Sequence, residues 1–207
     1  CLRRPEGWSW ATQSRLVDLC DGTGGIIPAA TFGRSRGTAP ESRPDAFFDR
    51  IAIVSLPTRL DRRREIRAEL APLGLVPGQG GVQFFDAIRP GSADGFSSIG
   101  AHGCFVSHLS LLRQAAHDGV GRLLILEDDA AFAPRIAPRM AAVCSALAAA
   151  PWAIFYGGFA SPPRSARALP GGPLVQVAAD EAVQTAHCIA LQGPAIAGAA
   201  AFLEAIL

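Results

Sequence analysis

Arg122-Leu-Leu-Ile-Leu-Glu-Asp-Asp129 is the stretch whose reading decides the fold. Its apolar residues do not alternate with polar ones, so a strand built from them is buried on both faces, as in a parallel sheet covered by helices. It then ends abruptly in three carboxylates. In parallel sheets ligands gather beyond the carboxyl ends of the strands, which is where Glu127, Asp128 and Asp129 fall.

Working outward, the neighbouring segments keep the same rhythm. Upstream, Phe105, Leu109, Leu112 and Ala116 recur at helical spacing and predict a helix over 104–117. Downstream, Ile136, Met140, Val143 and Leu147 mark an amphipathic helix that Pro151 ends. Ala153-Ile-Phe-Tyr156 reads as a strand closed by Gly157 and Gly158. Nearer the start, Arg50-Ile-Ala-Ile-Val-Ser-Leu56 is a second buried strand. A helix follows it from about Asp61, with Ile66, Leu70 and Leu73 on one face and Gly74 as its stop. Val82-Gln-Phe-Phe85 is a further strand, and 89–103, with four glycines and a proline, reads as a loop. Residues 175–177 and 187–191 are shorter strand candidates, and an Ala-rich helix begins near Pro194. Strands alternating with helices predict an α/β domain with a mostly parallel sheet flanked by helices.

The domain is expected to occupy 47–207 and to be shortened at its C-terminus. Residues 1–46 form an N-terminal extension that includes a linker rich in Gly, Ser, Pro and Arg, 33–45, and carry no assigned role. A chain opening on Cys1 reads as a piece or a processed form. Its 207 residues hold 19 basic and 18 acidic side chains, a net charge of +1, without the basic excess of a nucleic-acid-binding protein. Five widely spaced cysteines with no CxxC pair argue against a disulfide framework and fit reduced thiols in a cytoplasmic protein. No signal-peptide pattern and no membrane span are read, because the most apolar stretches, 140–156 and 188–207, are Ala-rich and interrupted.

Four groups of residues could carry chemistry. Three adjacent carboxylates repel one another, and a hard divalent cation, Mg²⁺ or Mn²⁺, would offset that and could bridge to a diphosphate. The plainer reading is a solvated strand end that caps the next helix. Arg62, Arg63 and Arg64 fall in the first turn of the helix after Leu56, where cations oppose the helix dipole. They suit an anion held by backbone N–H groups and guanidinium forks, or are simply splayed into solvent. Gly100-Ala-His-Gly-Cys-Phe-Val-Ser-His108 opens a helix with Ser107 and His108 in its first turns. A Cys104–His108 or Ser107–His108 nucleophile pair lacks an orienting third group. A zinc site of His102, Cys104 and His108 lacks a fourth ligand at familiar spacing. A helix-packing histidine is the bland alternative. His187, before Cys188-Ile-Ala-Leu191, is either structural or a metal or phosphate ligand at a strand edge.

Taken together, Ile51-Ala-Ile-Val-Ser-Leu-Pro-Thr-Arg-Leu-Asp-Arg-Arg63, Phe84-Phe-Asp-Ala87, Gly100-x-x-Gly-Cys-x-x-Ser-His108, Leu124-Ile-Leu-Glu-Asp-Asp129 and, more weakly, Thr185-Ala-His-Cys-Ile-Ala190 resemble glycosyltransferase family 25, which serves lipopolysaccharide and collagen-type galactosylation. The resemblance implies a GT-A-like fold, a UDP-sugar donor and Mn²⁺ (or Mg²⁺). It also implies inverting transfer of a hexose, galactose foremost, to a saccharide or lipid-linked saccharide acceptor, with the enzyme in the cytoplasm or at the inner membrane face. It gives Glu127-Asp128-Asp129 the part of the acidic metal motif, with Asp128 and Asp129 catalytic and Asp129 the foremost direct ligand; His187, by its own place at a strand edge, joins Asp129 and Asp128 as an expected metal ligand. It places Ser55, Leu56 and Arg59 near the nucleotide; Arg63, Ser107, His108 and Glu127 are the further candidates toward the nucleotide sugar. Asp180 and Glu181 are candidates for the base by position. Two alternatives stay open: a non-catalytic remnant that still binds a nucleotide sugar or glycan, and another phosphate-handling enzyme such as a nucleotidyltransferase.

Overall fold

The computed structural model describes residues 43–159, 162–170, 172–183 and 187–207. Residues 1–42, most of the expected N-terminal extension, lie outside the described residues, as do Thr185 and Ala186 of the last family-like stretch. The elements are α1 (Pro44–Phe47), β1 (Arg50–Ser55), α2 (Leu60–Leu70) with a 3-10 turn (Ala71–Leu73), β2 (Val82–Asp86), α3 (Ile99–His117), β3 (Arg122–Glu127), α4 (Ile136–Ala149), β4 (Ile154–Tyr156), β5 (Arg167–Ala168), β6 (Val175–Gln176), β7 (Cys188–Gln192) and α5 (Pro194–Ala205).

Five strands form one sheet in the order β2-β1-β3-β7-β4. β2, β1 and β3 run parallel, while β7 is antiparallel to both β3 and β4. The sheet is therefore mixed, not the mostly parallel one expected. The apolar run of β7 looks the same in either direction, because a central strand is buried on both faces whichever way it points. Val175 and Gln176 are also not in this sheet; they pair with Arg167 and Ala168 in a separate two-stranded ribbon.

Alternation along each strand divides the core in two. Ile51, Ile53, Leu124 and Leu126 face α2 and α4, where they pack with Phe47, Ile66, Leu70, Met140 and Leu147. Ala52, Val54, Leu123 and Ile125 face α3 and α5, packing with Phe105, Leu109, Leu112, Ile196 and Ala199. Phe47 and Phe48 are each only 2% exposed, so the packed domain takes in α1, at the end of the segment expected to be linker.

α3 begins five residues before the expected start, at Ile99, with the Ser98 hydroxyl accepting from Ala101 N at 3.0 Å as an N-cap. Gly100 and Gly103 thus lie within the helix. Gly103 is needed for close approach: a Cβ there would stand 2.7 Å from the Ile88 carbonyl oxygen.

Candidate active site at the carboxyl ends of the central strands

Register brings the site together. Ser55 ends β1 opposite Asp86 of β2, and Val54 pairs with Glu127, the last residue of β3. Because β7 runs the other way, its amino end lies at this same edge: Leu126 pairs with Cys188, and Glu127 N donates to His187 O at 3.0 Å. A parallel β7 would have carried His187 to the far edge of the sheet.

The chain turns tightly after β3, with Ala130 N donating to Glu127 O at 3.1 Å. Asp128 and Asp129 are the two central residues of that turn, a place that suits Asp, and their carboxylates diverge. Asp128 Oδ2 accepts 2.7 Å from Ser55 Oγ, a buried hydroxyl. Asp129 Oδ1 lies 3.1 Å from His187 Nδ1, and the same nitrogen lies 3.1 Å from Glu127 Oε2. The gathered donor set is therefore Glu127, Asp129 and His187, with Asp128 held on the Ser55 side.

Two carboxylates and an imidazole are a donor set that Mn²⁺ or Mg²⁺ accepts. In an octahedral shell with bonds of about 2.1 Å, adjacent donors stand about 3.0 Å apart. The 3.1 Å separations at His187 Nδ1 fit that spacing. Exposure falls from 57% at His187 to 44% at Asp129 and 22% at Glu127, so the cluster opens outward.

Glu127 also faces inward. Its Oε1 accepts from Cys104 Sγ at 3.6 Å and stands 3.4 Å from His108 Nε2. Cys104 and His108 are one helical turn apart on α3, hence on one face. That spacing was the signal for their convergence; what the sequence withheld was that Glu127 lies opposite. Burial opposes a charge on His108, but the Cys104 sulfur and the Glu127 carboxylate outweigh it and push the imidazole up to about 9. Glu127 is held below the ordinary carboxylate range, chiefly by His108.

The other sequence-selected residues divide. Leu56, half-buried, follows Ser55 directly and accepts 3.0 Å from Arg59 N. Arg59 is exposed and forks onto Asp61, whose carboxyl it holds far below the usual range. Arg63 is spent inside the chain: its Nη2 donates 3.2 Å to Ser55 O and also to Asp86, while the guanidinium stacks 4.6 Å from the centre of Phe84. Asp61, Glu65 and Asp86 thus partner Arg59, Arg62 and Arg63, offsetting much of the repulsion the helix dipole would impose. Ser107 is wholly buried, bonding Gly103 O and Ile88 N, and is not among the gathered residues. Glu181 is engaged by Arg164 N and by Ser165, while Asp180 is exposed.

Residues 48–150 match glycosyltransferase family 25, described as an LPS biosynthesis protein family. The chain belongs to glycosyltransferase family 25. Its resemblance motifs up to β3 all fall in the matched segment, whereas His187 lies beyond it. A human relative, inactive glycosyltransferase 25 family member 3, is 33% identical over 113 residues, covering 46% of this chain. The chain spans 19% of that relative's length. Among the described residues of this family 25 chain, no helix is long and apolar enough to cross a membrane.

Proposed function

We propose that this family 25 chain transfers a hexose, galactose foremost, from a UDP-sugar to a saccharide or lipid-linked saccharide acceptor at the cytoplasmic face, on a GT-A-like scaffold. One observation carries this reading: Glu127, Asp129 and His187 converge within 4.8 Å at the carboxyl edge of a family 25 sheet. Those three side chains would hold Mn²⁺ or Mg²⁺, and a cation so placed supplies charge stabilisation to a departing diphosphate. Arg59, exposed beyond β1 and forked onto Asp61, would exchange that carboxylate for phosphate oxygens, which its guanidinium binds in the same geometry. Ser55 fixes Asp128, so that side chain is oriented before substrate arrives. Transfer by an inverting displacement replaces the leaving diphosphate oxygen at the anomeric carbon with an acceptor oxygen, whose proton passes to a base.

The test is calorimetric titration of UDP into the purified chain with and without Mn²⁺. Binding that needs Mn²⁺ and disappears in Asp129→Asn supports the reading. Equal binding in both variants, or preference for a nucleoside triphosphate over UDP, sinks it. A second reading, a fold that binds the donor without transferring it, is favoured by the relative's designation as inactive. UDP-galactose turnover, monitored as released UDP, counts against that reading.

A further inference from the structure

We propose that Cys104, His108 and Glu127 form a second cation site, of the kind that takes Zn²⁺, joined to the Asp129–His187 cluster through the two oxygens of one carboxylate. The ligand atoms of the three side chains lie within 4.8 Å of one another. Glu127 presents Oε1 to Cys104 and His108 and Oε2 to His187, the arrangement of a bridging carboxylate.

Distances and donor chemistry agree on the ion. Tetrahedral zinc with bonds of about 2.3 Å to sulfur and about 2.1 Å to nitrogen or oxygen spaces S and O about 3.6 Å apart, and N and O about 3.4 Å apart. Cys104 Sγ and His108 Nε2 stand 3.6 and 3.4 Å from Glu127 Oε1. A thiolate, an imidazole and a carboxylate suit zinc better than Mn²⁺ or Mg²⁺. The burial of His108 points the same way: its Nε2 is buried and makes no hydrogen bond, with only the longer 3.4 Å approach to Glu127 Oε1, so a cation between them would satisfy a buried nitrogen that the protein leaves without one. Cys104 is exposed, which gives the ion an entry path and leaves room for a fourth, exchangeable ligand, as in open zinc sites. On binding, the Cys104 thiol proton and the proton on His108 Nε2 both pass to solvent as the sulfur and the nitrogen become ligands. The inference does not rest on the function proposed above, since it needs neither Asp129 nor a nucleotide.

The experiment uses the full chain, stripped with chelator and titrated with Co²⁺ as a spectroscopic stand-in for zinc. A sulfur-to-cobalt charge-transfer band in the near ultraviolet is expected in the wild type. It should vanish in Cys104→Ser, need at least tenfold more Co²⁺ in His108→Gln, and persist in Asp129→Asn. Absence of the band from a wild-type chain with native circular dichroism overturns the proposal. So does a band that survives Cys104→Ser, since it would arise at another of the cysteines. Because Asp129→Asn separates the clusters, loss of Mn²⁺-dependent UDP binding and loss of the cobalt band are distinguishable failures.

Discussion

Ser55 Oγ donates a 2.7 Å hydrogen bond to Asp128 Oδ2 across the boundary between β1 and the turn that follows β3. The hydroxyl is buried and the acceptor only partly so. Ser55→Ala should therefore cost about 1.5–3 kcal/mol, the range for a hydrogen bond to a charged group, toward its lower end because Asp128 can still reach water. Urea denaturation of the two proteins checks this; an unchanged midpoint would show that Asp128 gains nothing from Ser55.

His187 should separate stability from binding. It is more than half exposed, so His187→Ala should shift stability by less than about 0.5 kcal/mol. If it is a cation ligand, Mn²⁺ affinity should fall by at least the roughly tenfold seen when even a supporting partner of a ligand is lost. Isothermal titration with Mn²⁺ measures the second effect and thermal melting the first.

Arg63 ties the ends of β1 and β2 together through Ser55 O and Asp86. Arg63→Lys keeps the charge but loses the fork and the flat stacking on Phe84, so about 1–2 kcal/mol should be lost. Denaturant titration reads it, and a neutral result would mean that the guanidinium geometry is idle.

Gly103→Ala runs against helix propensity. Alanine should gain about 1 kcal/mol as the better helix former. Its methyl carbon, however, would stand 2.7 Å from Ile88 O, a backbone atom that cannot swing aside. Overpacking of this sort costs typically 1–3 kcal/mol, so a net loss is expected in thermal unfolding.

The pairing of His108 with Glu127 gives the metal-free protein a pH signature. His108 titrates near 9 in the folded chain, above its ordinary value. Its stabilisation is thus complete below about 6.5 and is lost as pH rises toward 9. Glu127, held below its ordinary value, contributes above about 4.5 and loses its contribution as pH falls through its lowered folded value. Urea midpoints in chelator should decline on the alkaline side for the wild type and decline less for His108→Gln. Parallel alkaline limbs would refute the pairing.

The legible parts of the fold were those whose burial is written into composition. Ile51–Val54 and Leu123–Leu126 are apolar without interruption, and their strands lie where the runs lie. The start of α3 is not legible, because Gly100 and Gly103 have the composition of a loop, whereas Gly103 serves a helix pressed against the Ile88 carbonyl. In the site, the acidic triplet was visible as charge at a strand end. The parting of Asp128 from Asp129 was not, because it depends on a turn and on a serine 73 residues away. The meeting of Glu127 with Cys104 and His108 was hidden for a similar reason, since it needs the register of α3 against β3. Family membership rests on 48–150 and the full donor set needs His187, so kinship and an intact site are separate properties of this chain.

The late strand β7 has a kinetic consequence. It is synthesised after β4 yet inserts between β3 and β4, so an interior position of the sheet, next to its β4 edge, is filled last. Until then two strand edges stand open, a condition that invites mispairing. The same insertion delivers His187 to Glu127 and Asp129. A cation that requires all three would bind only chains that have completed this step, drawing the folding equilibrium toward the closed sheet by mass action. Assembly of the site would then act as the latch on folding itself.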